Sequence, residues 1–203
     1  GSADLLQRPA QRILRAVEHM QRLAAQLGPV GGVEREQHRD DGGFLERLTG
    51  RGRHLLREIE HGIAQGEFWA HFQPQVDLAS RKVIGFEALA RWKHPQRGLL
   101  SAAQFLPFIE NSSFMQLIDA LVLDQACDTL TALAASVARE ATISVNLSND
   151  LLNEPGAADA IRDRVKSRSV APSQLCFEIL ETTLLSERNG IIVDNVTRLA
   201  AEG

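Results

Sequence analysis

The chain has no tyrosine, only two cysteines and no apolar run long enough to cross a bilayer. The cysteines, Cys127 and Cys176, lie in separate apolar segments without CxxC spacing, which predicts buried, reduced thiols and not a metal site. Its six histidines form no pair at the spacing of zinc ligands. We therefore expect a cytoplasmic protein without a membrane segment or a histidine zinc centre.

The charge balance excludes another class of function. Lysine and arginine number 22 against 26 acidic residues, giving a net charge of -4. A protein that binds a nucleic-acid polymer needs a dense basic face to replace the phosphate counterions, so no such partner is expected. The remaining composition, 44% hydrophobic and 24% charged, is that of a globular protein with a sizeable core.

Two regions differ in pattern. In residues 1–66, the spacing of apolar and polar residues predicts an amphipathic helix over 4–27, a polar linker over 34–43 and a second helix over 44–63. These helices fit either a coiled-coil transmitter or a layer packed on the following domain, and their repeats are too short to distinguish the two. Residues 67–203 alternate between strand and helix patterns, which indicates βαβ units and a parallel sheet. The sequence therefore predicts a helical linker region followed by an α/β domain.

The α/β region can be divided into elements. Strands are predicted at residues 68–76, 82–90, 142–147 and 174–180, and helices at 102–109, 115–135, 157–167 and 191–202.

Three oxygen-bearing side chains follow short apolar runs in this region. Glu87 follows residues 83–86, Asn146 follows 143–145 and Glu178 follows 175–177. Because the carboxyl ends of parallel strands share one rim, these side chains are expected to converge there. Two carboxylates and an amide suit a hard cation such as Mg²⁺ or Mn²⁺. The alternative is that they are helix caps or loop hydrogen-bond acceptors.

A series of motifs in the same region resembles one family. Residues 87–89 read EAL and are followed by Arg91-Trp92 and His94-Pro95, the pattern of the EAL cyclic di-GMP phosphodiesterases. Four further motifs occur in the family's order: FQP at 72–74, FLP at 105–107 with Glu110, SVNLS at 144–148 and FEILET at 177–182. The similarity extends from about Gly66 to Gly203.

The resemblance implies a fold, a reaction and roles for individual residues. It implies a (β/α)8 TIM-barrel-like domain that hydrolyses cyclic di-GMP to pGpG with two Mg²⁺ or Mn²⁺ ions. The implied metal ligands are Glu87, Asn146 and Glu178, and the implied nucleotide contacts are Gln73, Leu89 and Arg91, with Glu181 supporting a loop. Structural alternatives are an edge-strand amide for Gln73, a surface ion pair for Arg91 and a helix N-terminal charge for Glu181.

The sequence also departs from the family. The paired aspartates of its DDFGTG motif, and the lysine, glutamate and glutamine that follow, do not occur in these 203 residues. The chain is therefore expected to hold about four barrel strands, to be inactive alone, and to cover its open sheet edge with a homodimer or partner protein. It is read either as a piece of a phosphodiesterase with further strands elsewhere, or as a degenerate EAL domain acting as a nucleotide receptor or scaffold.

Overall fold

The computed structural model describes residues 50–134, 140–179 and 190–202. Five strands and six α-helices lie in these ranges. In chain order they are α1 (Gly50–Ala64), β1 (Phe68–Val76), β2 (Val83–His94), β3 (Gly98–Ser101), α2 (Ala102–Phe105), α3 (Ser113–Leu133), β4 (Thr142–Asn146), α4 (Asn149–Leu152), α5 (Ala157–Ser167), β5 (Leu175–Glu178) and α6 (Gly190–Ala200), with 3₁₀ turns at Leu106–Phe108 and Pro172–Gln174.

The sheet is mixed. Its strands run in the order β1-β2-β4-β5, and β3 also pairs with β2. β4 is parallel to both β2 and β5, as predicted, but β1 and β3 are antiparallel to β2. A fully parallel sheet was therefore the wrong prediction for the first strands. The cause is the short turn at residues 77–82, which allows only a hairpin and leaves no room for a crossover helix.

That turn is fixed by an aspartate. The Asp77 carboxylate accepts hydrogen bonds from the Ser80 backbone N–H at 2.7 Å and from the Ser80 hydroxyl. These bonds lower the pKa of Asp77. Arg81 then adopts a φ of 57°, in the left-handed region, and reverses the chain into β2.

The longest described helix, α3, forms the layer behind the sheet. It places Ile118, Val122 and Ala126 in the core at helical spacing. Its Gln125 Oε1 accepts a hydrogen bond from the Ala70 N–H of β1 at 2.8 Å, which links the helix to a strand edge. Across the described ranges, we find no helix with both the length and the apolar character needed to cross a bilayer.

The two faces of the sheet have different environments. One face packs on the helices and buries Phe86, Ala88 and Trp92 of β2. The opposite face carries the alternate residues Glu87, Leu89 and Arg91, which are half-buried. Apart from the antiparallel strands β1 and β3, this partial sheet between helices agrees with the predicted α/β fold class.

The outer side of β5 faces an apolar groove. Within the described residues β5 pairs only with β4. Beside it α5 and α6 enclose a cavity of about 280 Å³ lined mainly by Ile161, Val165, Phe177, Val196 and Leu199. Cys127 is buried as predicted, but Cys176 is exposed, so that prediction was wrong. Side chains alternate between the two faces of the sheet along β5, and this places Cys176 on the face opposite the helices.

One asparagine attaches α6 to the rest of the domain. Asn195 is 1% exposed, and its amide group bonds three backbone groups. Its Oδ1 accepts from the Ala158 N–H at 3.1 Å, and its Nδ2 donates to the carbonyls of Leu152 and Glu154, both at 2.9 Å. The ends of α4 and α5 therefore rely on α6 for hydrogen bonding.

Asn195→Ala is expected to lower the free energy of unfolding by about 3 kcal/mol, because it leaves buried backbone groups without partners. Urea denaturation measures this loss. The control is Asn153→Ala, since Asn153 is exposed and its loss should cost under about 0.5 kcal/mol. Equal losses in the two variants would contradict the role given to Asn195.

Candidate functional site

Strand register brings four of the predicted site residues onto one face. Gln73 of β1 lies opposite Glu87 of β2, and Glu87 lies opposite Ser144 of β4. Asn146, two residues beyond Ser144, lies opposite Glu178 of β5. Residues in register, and residues two apart on a strand, point to the same side of a sheet. The four residues Gln73, Glu87, Asn146 and Glu178 therefore share the face that does not pack on the helices.

Two of the predicted metal ligands are in direct contact. The Asn146 Nδ2 donates a hydrogen bond to Glu87 Oε1 at 3.2 Å. This bond leaves Asn146 Oδ1 and Glu87 Oε2 as the oxygens that can turn toward a cation. Glu178 lies on the neighbouring strand, in register with Asn146. Neighbouring strands are about 4.8 Å apart, so oxygens from all three side chains can reach a common point.

The position of Glu87 differs from the prediction. It was expected where the apolar run of residues 83–86 ends, at the carboxyl end of a strand, but β2 runs from Val83 to His94 and Glu87 lies inside it. Two features explain the difference. β3 pairs with residues 91–94 and extends β2, while the parallel pairing with β4 ends at Ala88. Glu87 is therefore next to the rim of the parallel sheet, although its own strand continues past that rim.

The donor set fits part of a hard-cation site. It consists of two carboxylates and one amide, all oxygen donors, as Mg²⁺ and Mn²⁺ prefer. In the part of the chain that the structure describes, no three acidic, histidine or cysteine side chains form a group that could hold a metal ion. Glu181, the predicted loop support, lies outside the described residues. Further ligands or water must therefore complete the coordination of any cation at these three residues.

The predicted nucleotide contacts lie on the same face. Leu89 and Arg91 follow Glu87 at intervals of two along β2, and both are half-buried. The Arg91 Nη1 donates to the Ala90 carbonyl at 2.8 Å, which orients the guanidinium. Gln73, on the adjacent strand, is exposed. The structure therefore groups an amide, an apolar side chain and a cation beside the carboxylates.

The loop after Asn146 is held by a residue that the sequence analysis missed. Asp119 of α3 is 5% exposed, and its Oδ2 accepts hydrogen bonds from both the N–H and the hydroxyl of Ser148. Ser148 Oγ in turn accepts from the Leu151 N–H and caps α4. The Leu147 N–H donates to the Glu178 carbonyl at 3.0 Å. Asn146 is therefore followed by a fixed turn.

Burial raises the pKa of Asp119 to about 6, although its hydrogen bonds from Ser148 act in the opposite direction and the nearby Asp150 adds a smaller increase. A charged residue in the apolar stripe of a helix, between Ile118 and Val122, was the sequence signal that could have identified it.

Comparison with known proteins places these motifs in a family. The model of the EAL domain matches residues 56–203. MucR of Pseudomonas aeruginosa, a bifunctional diguanylate cyclase/cyclic di-GMP phosphodiesterase, is 32% identical over 139 residues, which cover 68% of this chain and 20% of MucR. An uncharacterized signaling protein of Caulobacter vibrioides is 36% identical over 151 residues, covering 74% of this chain and 18% of that protein. The chain thus spans about a fifth of the length of these relatives.

Solved structures of EAL proteins show the same fold and confirm the predicted TIM-barrel-like fold class. The PaMucR phosphodiesterase in complex with c-di-GMP has a TM-score of 0.68 and 32% identity, and the match covers 74% of this chain and 60% of that one. The EAL enzyme Bd1971, bound to cAMP and cyclic-di-GMP, has a TM-score of 0.70 at 23% identity, covering 80% of this chain and 44% of that one.

The raised pKa of Asp119 predicts a pH-dependent stability. Because this pKa lies above its ordinary value of 3.8, the group favours the folded state below about pH 3.8, and this contribution is lost as the pH rises through about 6. Between pH 7 and pH 4 the protein should therefore gain up to about 3 kcal/mol relative to Asp119→Asn. Urea denaturation of both proteins at the two pH values measures the difference. Identical pH dependence would show that Asp119 titrates normally.

Proposed function

Because the chain belongs to the EAL-domain family, we propose that it binds cyclic di-GMP at the rim of its sheet. We further propose that it supplies part of a two-metal site that hydrolyses this dinucleotide to pGpG. The observation that carries the proposal is the contact of Asn146 with Glu87, with Glu178 in register beside Asn146. These donors share a face with the amide of Gln73 and the guanidinium of Arg91.

The relatives support this choice of ligand and reaction. MucR of Pseudomonas aeruginosa is named a bifunctional diguanylate cyclase/cyclic di-GMP phosphodiesterase. The structure of the PaMucR phosphodiesterase has been determined in complex with c-di-GMP. PdeI of Escherichia coli, 28% identical over 151 residues, is named a probable cyclic di-GMP phosphodiesterase. The FimX EAL domain of Xanthomonas citri shares the fold and has also been solved with c-diGMP.

In this proposal Glu87, Asn146 and Glu178 hold a divalent cation, Mg²⁺ or Mn²⁺, through oxygen atoms. Such a cation neutralises charge on a phosphodiester and lowers the pKa of water, which is how a poor leaving group is displaced at neutral pH. Asn146 has a second role, because its Nδ2 bond to Glu87 fixes the direction of that carboxylate. The turn held by Asp119 then keeps Asn146 at the rim.

The nucleotide contacts follow from side-chain chemistry. The planar guanidinium of Arg91 can form paired hydrogen bonds to a phosphate. Gln73, opposite Glu87, offers an amide to phosphate or sugar oxygens, and Leu89 offers an apolar surface to the sugar or base. Support of a ligand-bearing loop by Glu181 remains a prediction.

A second candidate function is non-catalytic. The observation that favours a receptor or interaction scaffold is the apolar groove beside β5, enclosed by α5 and α6. In that case the groove beside β5 would be the surface on which a second copy or a partner protein packs. Binding of cyclic di-GMP without turnover would identify a receptor. A scaffold, by contrast, needs neither to bind nor to hydrolyse the nucleotide.

Arg91→Ala is expected to weaken cyclic di-GMP binding at least tenfold, because it removes charged hydrogen bonds to phosphate. Isothermal titration calorimetry provides the affinities. Arg162→Ala is the matched control, since Arg162 pairs with Asp159 on α5, away from the rim. Equal affinities for the Arg91 and Arg162 variants would place the nucleotide elsewhere.

The 203-residue chain incubated with cyclic di-GMP and Mg²⁺ or Mn²⁺ is expected to produce no pGpG detectable by chromatography. The physical reason is that three oxygen donors on this face cannot offset the repulsion of two divalent cations. Glu87→Ala serves as the baseline. Turnover in the unmodified chain that disappears in Glu87→Ala would show that these residues already form a complete catalyst.

A further inference from the structure

We propose that Trp69 binds one guanine base of cyclic di-GMP by stacking, on a part of the hairpin that extends past the metal-ligand rim. This inference rests on the proposed function and adds a binding surface to it. The part concerned, here named the ribbon, is residues 68–72 of β1 with residues 88–92 of β2, which pair with each other.

The ribbon lies beyond the rim because the strands differ in length. Parallel pairing between β2 and β4 stops at Ala88, whereas β2 continues to His94. On its open face, Trp69 lies opposite Arg91 and His71 lies opposite Leu89. Gln73 and Glu87 are the next pair on the same face. One continuous surface therefore runs from Trp69 to the carboxylates.

Trp69 is not part of the core behind the sheet. The chain has two tryptophans, and the other, Trp92, is fully buried and stacks on Phe68 with ring centroids 5.0 Å apart. Trp69 is half-buried and, by strand alternation, points to the face opposite Phe68. A large aromatic side chain on a ligand-facing surface supplies the flat apolar area that a nucleobase needs.

The indole is also oriented. Its ring lies 6.0 Å from that of His71, with an angle of 28° between the planes. A near-parallel neighbour restricts rotation of the indole, so less side-chain freedom is lost when a base stacks on it. Stacking on an aromatic side chain accepts any base, but the two-ring face of a purine covers more of an indole than a pyrimidine does.

The spacing suits a dinucleotide. Trp69 precedes Gln73 by four residues, which is about 13 Å along a strand. Arg91, opposite Trp69, has the donor geometry for a phosphate. A nucleotide with its base on Trp69 can thus place one phosphate beside Arg91, while the rest of the molecule extends toward Glu87.

Fluorescence tests the contact directly. Trp92 is fully buried, so a ligand on the open face should quench only Trp69. Cyclic di-GMP, titrated with and without Mg²⁺, should quench the emission of the unmodified chain with saturation. Trp69→Phe should retain the emission of Trp92 and show no saturable quenching. Saturable quenching of equal size in Trp69→Phe would overturn the inference.

Calorimetry supplies the affinities. Trp69→Ala should bind cyclic di-GMP roughly tenfold more weakly, whereas Trp69→Phe, which keeps an aromatic face, should stay within about threefold of the unmodified chain. Leu78→Ala is the control, because Leu78 is 82% exposed in the turn at the other end of the hairpin. Circular dichroism checks that each variant is folded.

The outcomes separate the two proposals. If Trp69→Ala binds as well as the unmodified chain while Arg91→Ala does not bind, the stacking inference is wrong and the proposed function stands. If folded, unmodified chain binds no cyclic di-GMP, both are wrong.

Discussion

The parallel register of β2, β4 and β5 is the constraint on which the site depends. It places Glu87 opposite Ser144 and Asn146 opposite Glu178, so that three oxygen donors from distant parts of the sequence share one rim. Gly85 shows how closely this register is fitted. A Cβ at Gly85 would lie 2.8 Å from the Thr142 carbonyl and 2.7 Å from its hydroxyl, distances that real Cβ atoms do not reach. A larger residue would force β2 and β4 apart and separate Glu87 from Asn146.

The helical layer maintains this arrangement through polar contacts as well as apolar packing. Asp119 is buried at a cost in free energy, and its two hydrogen bonds go to Ser148, in the turn that follows Asn146. Asn195 similarly binds the ends of α4 and α5. The turn that contains Ser148 thus connects the site to α3. The side-chain amide of Asn195 connects α4 to α6.

The sequence predicted much of the fold because apolar periodicity reports burial. The helix at Ala157–Ser167 and the strand at Phe68–Val76 were predicted at their observed bounds. Prediction from the sequence failed where the pairing of strands depends on residues far away in the chain. β3 and α4 have only four residues each, too few for a periodic signal, and β3 determines how far β2 extends. Cys176 is exposed because of the face of β5 on which it lies. The local sequence pattern does not show which face of the sheet a given residue of β5 occupies.

The candidate site shows the same limit. Motif order identified Glu87, Asn146 and Glu178, but only the structure shows that the amide of Asn146 contacts Glu87. Asp119 was missed because its partner, Ser148, is 29 residues away in sequence. No motif marks Trp69, because the face on which it lies depends on the pairing of β1 with β2.

Paramagnetic broadening by Mn²⁺ in two-dimensional NMR spectra of the 203-residue chain tests most directly whether these donors surround a cation. If they do, substoichiometric Mn²⁺ first broadens the side-chain amide of Asn146 and the backbone signals of Glu87 and Glu178. Broadening that begins elsewhere, or that leaves the Asn146 amide sharp while other signals disappear, would show that these donors do not surround a cation.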